Sequence, residues 1–318
     1  MRLTLRQLQI FQAIVQTGST SAAANAVSLT QSAASAALSE LENVLGTRVF
    51  DRVGKRLVLN DNGRTLSVQA RWLLDGAAQV ERQFSIVPGA AAAGPLRIGA
   101  STTIGNYLMP RLLADYRGHA DISEVDIRIG NTGEIVQGVA RFELDAGFIE
   151  GPSHDPHLAA LPWIRDELVL IAGANHPLAK RRGRVSVAAL RDAVWLLREP
   201  GSGTREVVEN VLRPHLHSMK SGISFGDSEA IKRATAHGLG ISCLSRWVVQ
   251  DMLRHGELAE LKTTLPALSR LFYIVRHPHK FISRNLEQFL SFSRREGIEG
   301  WAPVARATKG LVRRKTGS

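Results

Sequence analysis

The chain has 318 residues, 44% hydrophobic and 22% charged, the composition of an ordinary soluble protein long enough for two or three packed domains. One cysteine, Cys243, excludes an intrachain disulfide. The N-terminus MRLTLRQLQIF turns polar too early for an export signal, and no apolar run approaches the ~18 residues of a spanning helix, so the expected setting is cytoplasmic without membrane contact. The net charge of +11 suits a polyanion. Residues 1–90 hold only nine basic against six acidic residues, and residues 297–318 five against one, so charge alone does not locate a site.

Residues 3–17 predict a helix with Leu8, Phe11, Ile14 and Val15 on one face, stopped by Gly18. Two further short helices follow within residues 18–46. The first, Ser19 to Ala26, carries Ala22, Ala23, Ala24 and Ala26, small enough for close approach of another helix. After the turn at Val27-Ser28-Leu29, Thr30 caps the second. Its Ala34, Leu38, Leu41 and Leu45 form an apolar face, and Gly46 supplies a left-handed stop. The opposite surface holds Gln31, Ser32, Ser35, Ala36 and Ser39, small or polar side chains that can lie in a DNA groove. Next come strand-like Val49-Phe50 and Leu57-Val58-Leu59, joined by a bend at Val53-Gly54-Lys55. A hairpin tipped by Arg52, Lys55 and Arg56 after a helix-turn-helix is a wing placed for phosphates.

Asn60 to Gly63 is turn chemistry that opens another helix. Leu66, Ala70, Leu73, Ala77, Val80 and Phe84 recur at intervals of 4, 3, 4, 3 and 4, a seam that predicts lengthwise packing on a partner helix and hence a dimer. Pro88 ends it, and a linker of small residues runs to Pro95. From Leu96 onward strands alternate with helices, which predicts parallel sheets covered on both faces and divided into two subdomains around a cleft. The expected layout is a winged helix-turn-helix (1–60), a linker helix (61–88), an effector-binding domain (94–296) and a disordered basic tail (297–318). Within the effector domain, subdomain I takes 94–163 and 269–296, and subdomain II takes 164–268. The fold class is therefore multidomain α+β, with an α/β effector domain.

With both halves laid out, the chain resembles the LysR-type transcriptional regulators of bacteria over nearly all of residues 2–295. The most specific stretch is LRQLQIFQAIVQTGSTSAAANAVSLTQSAASAALSELENVLGTRVFDRVGKRLVLNDNG. The resemblance implies a winged helix-turn-helix joined by a dimerising helix to a periplasmic-binding-protein-like domain. It also implies homodimers or homotetramers on double-stranded promoter DNA, a small metabolite in the cleft, and contact with RNA polymerase. Two positions depart from the family habit: Ser32 stands where Pro is common, and Ala36 where Arg is common. An Arg reaching guanine is the commonest direct base contact, so reading here falls to Gln31, Ser32 and Ser35, helped by groove shape.

Ligands in open α/β sheets sit beyond strand ends. The first such loop holds Ser101, Thr102 and Thr103, hydroxyls at a helix N-terminus that favours an anion. The second, from Glu199 to Arg205, offers Ser202, Gly203, Thr204 and Arg205; Glu206 replaces the third glycine of a dinucleotide fingerprint, leaving an oxyanion nest as the reading. Asn131 with Thr132, Glu150 and Asp227 complete the expected lining, Asp227 also as a helix cap. The GSGTR segment is similar to that of sulfur-assimilation and carbon-fixation regulators, so the resemblance points to an anionic effector; the residues themselves offer no complete cofactor motif or metal site. His154 and His157 sit in a proline-broken loop without a third ligand, and no nucleophile–base–acid set supports an enzyme. A solute-binding protein would carry no winged helix.

Overall fold

The computed structural model describes residues 2–54, 56–83, 96–118 and 125–299. Lys55, Phe84, the 89–95 linker and the tail from 300 onward lie outside these, whereas residues 297–299 belong to the closing helix.

The N-terminal unit is built from α1 (Leu5–Thr17), α2 (Thr20–Ala26) and α3 (Gln31–Leu45), then strands β1 (Phe50–Val53) and β2 (Arg56–Leu59). Each helix has the cap its sequence offers. Thr4 and Gln7 form a capping box on α1, Ser19 caps α2, and Thr30 accepts from the Ala33 N–H on α3. Gly18 and Gly46 end α1 and α3 with φ of 69° and 67°, a backbone that side chains disfavour. Leu8, Phe11, Ile14, Ala23, Ala34, Leu41 and Phe50 make the core. Ala23 is fully buried, and its small size lets α2 pack closely. The wing is an antiparallel hairpin, held to the helices where Leu57 N donates to Gly18 O at 2.9 Å.

Helix α4 (Asp61–Gln83) carries the predicted seam, but the seam divides. Leu66 and Ala70 are buried in the N-terminal core, while Leu73 and Val80 are exposed and Ala77 is half-buried. Spacing alone could not tell an intrachain partner from a second chain. The helix is also fastened to the domain that follows. Arg71 pairs with Glu143 at 3.1 Å, and the Trp72 indole N–H donates to His279 O at 2.7 Å. Asp75 takes both Arg97 (2.9 Å) and Lys280 (2.5 Å). Both cations also pair with buried Asp145. Burial alone would push the Asp145 carboxyl up; hydrogen bonds from Arg97 and the Lys280 and Arg97 charges outweigh it and hold the group below its ordinary value.

The remainder is one mixed sheet. Its strands are β3 (Leu96–Ser101), β4 (Val125–Gly130), β5 (Ala146–Glu150), β6 (Ala159–Gly173), β7 (Val194–Arg198), β8 (Lys220–Phe225), β9 (Ile241–Ser245), β10 (Leu258–Glu260) and β11 (Leu268–Arg276). They run in the order β4-β3-β5-β11-β6-β9-β7-β8, with β10 added on β6. Helices α5 (Met109–Arg117), α6 (Thr132–Ala140), α7 (Val187–Asp192), α8 (Gly203–Leu216), α9 (Ser228–Ala236), α10 (Arg246–His255) and α11 (Arg284–Glu299) cover it, with a π-helical turn at Ile104–Leu108 ahead of α5.

Two lobes result. In one, parallel β3, β4 and β5 carry a core of Ile98, Leu108, Phe148, Trp163, Phe272 and Phe289; in the other, β7, β8 and β9 carry Trp195, Leu212 and Ile241. Long β6 and β11 cross between them, antiparallel to each other and to β5 and β9. The sheets are thus not purely parallel, as alternation alone predicted. The crossing strands return the chain between lobes, and a return strand runs against its neighbours. Short β10 and helix α10 also escaped the sequence reading, because α10 follows β9 without a loop, capped by the strand's own last residue, Ser245.

Candidate DNA-reading head and effector cleft

On α3 the surface away from the core carries Gln31, Ser32, Ala36 and Ser39 exposed and Ser35 half-buried. Thr30 is spent on the cap, and its hydroxyl also lies 3.1 Å from that of Ser32. Gln31 makes only a long contact to the Thr20 hydroxyl, 3.4 Å, so its amide is free to turn outward. Arg52 and Arg56 are exposed on the wing, where the hairpin register pairs Arg52 with Leu57 and Arg56 with Val53 on the next rung. The described part of the reading head therefore offers a row of small polar groups on α3 and two exposed arginines on the wing.

The cleft side begins at the C-terminal ends of β3 and β7. Arg198, the last residue of β7, is almost completely buried, yet its guanidinium spans the lobes. Nη1 donates to Thr102 Oγ1 (2.7 Å) from the β3 loop and to Ser228 Oγ (2.9 Å) at the start of α9. Nε and Nη2 grip Glu199 at 2.7 and 2.8 Å. On either side of Thr102, the Ser101 and Thr103 hydroxyls are buried without a hydrogen-bond partner in the protein. An unsatisfied buried hydroxyl costs about 1–3 kcal/mol, so the pair marks a place where polar atoms are wanted. A second cation crosses the lobes nearby: buried Lys232 on α9 bonds Glu229 (2.7 Å), Asp251 (3.1 Å) and the Tyr107 hydroxyl (3.3 Å). The sequence points to the 226–228 segment, but no local signal marks Arg198 or Lys232, whose partners lie up to 125 residues away.

The second predicted loop is packed shut. A Cβ on Gly203 would stand 1.8 Å from Glu150 O and 2.6 Å from Thr132 Oγ1, so only glycine lets α8 press so closely on β5. Ser202 caps α8, Asn131 caps α6 and Asp227 caps α9. Arg205 is tied to Glu209 (2.7 Å) and to Arg198 O (3.0 Å). Thr132 donates to Glu150 O at 3.2 Å. Of the residues expected to line the cleft, Thr102 bonds Arg198 and Ser101 and Thr103 adjoin it in the chain, while the others cap helices or seal the lobes together.

Behind that seal lies a fully buried charge cluster. Glu150 accepts from Thr103 N (2.8 Å), from Arg270 Nη1 (2.8 Å) and from the Thr204 hydroxyl. Arg270 also donates to Thr204 Oγ1 and to Asp166, each at 2.8 Å, and Ser245 donates to Asp166 at 2.7 Å. Burial raises a carboxyl; at Glu150 the Arg270 charge and the bonds from Thr204 and Thr103 overcome it and the group is held low. At Asp166 burial prevails, assisted by the Glu150 charge, and the group is held high. The two acids should therefore respond differently to neutral replacement. In Glu150→Gln the new NH2 must face either the Thr103 N–H or the Arg270 N–H, so we expect a loss of about 2–4 kcal/mol. In Asp166→Asn the amide can donate to Ser245, whose hydroxyl turns to accept, so the loss should stay near 1 kcal/mol or less. Urea unfolding of the two variants distinguishes them, and equal losses would contradict this account of the cluster.

Among the described residues no helix is long and apolar enough to cross a membrane, and no cluster of potential ligands could hold a metal ion. Cys243 is buried, and burial pushes its thiol up to about 12, which leaves it unreactive.

Comparison with known proteins agrees with this division. Residues 5–64 match the family of bacterial regulatory helix-turn-helix proteins, lysR family, and residues 89–297 match the LysR substrate binding domain. YeiE of Escherichia coli K12, described as an uncharacterized HTH-type transcriptional regulator, is 45% identical over 92% of this chain and 97% of its own. A full-length variant of OxyR from Pseudomonas aeruginosa shares the fold, with 22% identity, 93% and 94% of the chains covered and a TM-score of 0.74. The CcmR regulatory domain from Synechocystis PCC6803, solved in complex with 2-PG, is 30% identical over 66% of this chain and 100% of that one, with a TM-score of 0.60. The chain is a member of the LysR family of bacterial transcriptional regulators, with a helix-turn-helix reading head and an effector-binding domain.

Proposed function

We propose that this regulator is switched by a small oxyanion held between the lobes by Arg198 and by the Ser101–Thr103 loop. The observation that carries the reading is a buried guanidinium bonded to both lobes, whose partner Thr102 stands in the chain between two residues with buried, unpartnered hydroxyls. Such donors, fixed before the ligand arrives, suit a carboxylate, a phosphate or a sulfur oxyanion. The ligand carried by the CcmR regulatory domain supports a small molecule in this domain. Thermal unfolding of the full chain with sulfate, sulfite, phosphate and simple carboxylates tests it. At least one should raise the Tm in a concentration-dependent way; stabilisation by neutral ligands alone would overturn the reading.

On DNA, the same protein works as a homodimer or a pair of homodimers on a pseudo-palindromic promoter, meeting in part through Leu73, Ala77 and Val80 of α4, with RNA polymerase as a further partner. Arg52 and Arg56, with Lys55, hold phosphates; Gln31, Ser32 and Ser35 read bases. Arg52→Ala should weaken binding about equally on all sequences and lower the salt slope by about one, whereas Gln31→Ala should relax base preference. Gel shifts at several salt concentrations separate the two. Sequence-independent losses of the same size from both variants would remove Gln31 from the reading set.

A further inference from the structure

The guanidinium of Arg198 carries its full set of N–H donors on Nε, Nη1 and Nη2, and every one is engaged. Nη1 serves Thr102 and Ser228, and Nη2 serves Glu199 and, at 3.4 Å, the Gly226 carbonyl; Nε serves Glu199. An anion cannot therefore add to Arg198 as it stands. It has to displace an existing acceptor.

The acceptors differ in how easily they leave. Thr102 and Ser228 are short side chains at the start of helical segments, and the Gly226 carbonyl is fixed by its backbone. Glu199 is different. Its side chain is 22% exposed at the rim, so rotation about its own bonds takes the carboxylate into water, where it regains hydration. It also grips Arg198 with two oxygens on one carbon, along one edge of the guanidinium. A carboxylate, sulfate, sulfite or phosphate reproduces that pair of oxygens on a single central atom; a halide does not.

We infer that Glu199 is the built-in counter-anion of the effector site: it holds the two-oxygen edge of Arg198 in the unliganded protein, and the effector binds by displacing it. This rests on the oxyanion site proposed above and adds its selectivity and its threshold. The ligand must present two oxygens on one centre, as the Glu199 carboxylate does. Its apparent affinity is set by competition with a carboxylate attached one residue away. The Ser101 and Thr103 hydroxyls, on either side of Thr102 in the chain and without a partner in the protein, are the further donors we assign to a free oxyanion.

Removing the competitor should therefore strengthen binding. The test is titration calorimetry on the full chain with sodium sulfate, sodium sulfite, inorganic phosphate and, at matched ionic strength, sodium chloride. It compares wild type with Glu199→Gln, Glu199→Ala and Arg198→Gln. For whichever oxyanion binds the wild type, both Glu199 variants should bind at least tenfold more tightly, Arg198→Gln should lose binding, and chloride should give no saturable heat. If both Glu199 variants bind as wild type or more weakly while Arg198→Gln still abolishes binding, the anion site stands and the displacement is wrong. If Arg198→Gln binds as wild type, or no oxyanion binds wild type or either Glu199 variant, the site itself fails and the inference with it.

Discussion

Replacing Arg270 with methionine is expected to destabilise the effector domain by about 3–5 kcal/mol, the usual consequence of leaving buried carboxylates without their cation. Methionine preserves much of the volume and the contact with Phe272, whose ring centre lies 5.0 Å from the guanidinium carbon, so packing loss is a minor part. What remains is Glu150 and Asp166, both essentially inaccessible to water, with hydrogen bonds from Thr103, Thr204 and Ser245 but no cation between them. For a domain of this size the corresponding fall in Tm is about 10 °C. The effect has a signed pH dependence. In the wild type the Glu150 carboxyl is held low, so its contribution is present above the unfolded-state value near 4 and is lost as pH falls through the lower folded value. Without Arg270 both acids sit above their unfolded values and are least unfavourable when protonated. The difference between wild type and variant should therefore shrink as pH drops toward 4. Urea unfolding from pH 7 to pH 4 checks both parts; a loss below about 1 kcal/mol at pH 7, or a gap that widens in acid, would contradict the role given to Arg270.

The second large effect concerns the ligand. Arg198→Gln should lower effector affinity about 30- to 1000-fold, because removing one partner of a buried charge-assisted pair costs about 2–4 kcal/mol. Arg198→Lys should recover only part of that loss: an ammonium restores the charge but not the two-donor edge. DNA binding in the absence of effector should be far less affected, since Arg198 lies in the cleft and touches nothing in the reading head. Calorimetry with the stabilising anion, paired with gel shifts of the same preparations, separates the two effects. A lysine variant as good as wild type would mean that only charge is recognised.

The reading head was largely legible in the sequence because its determinants are local. Thr30, Gly18 and Gly46 act within one turn of where they stand, and the apolar face of α3 is a matter of spacing. The α4 seam was legible as a pattern but not as a partner: Leu66 and Ala70 turn into their own domain, and Leu73 and Val80 do not. In the cleft, hydroxyls after β3 could be named from composition and position. Arg198 could not, since it reads as the polar end of an apolar strand until Thr102, 96 residues away, is brought beside it. Gly203 signalled close approach without saying of what; the answer is the Glu150 carbonyl, so that helix end seals the lobes instead of opening toward a ligand. Arg270 and Asp166 face each other across antiparallel crossing strands, a pairing that alternation of strands and helices does not announce.

The central claim is that an oxyanion sits between the two lobes on Arg198. A crystal of the full chain grown with the most stabilising anion tests it most directly. The account predicts density for a two-oxygen face against Arg198 Nε and Nη2, with the Ser101 and Thr103 hydroxyls turned toward it and the Glu199 carboxylate swung to solvent. Anion density elsewhere, with Glu199 still on Arg198, would contradict it.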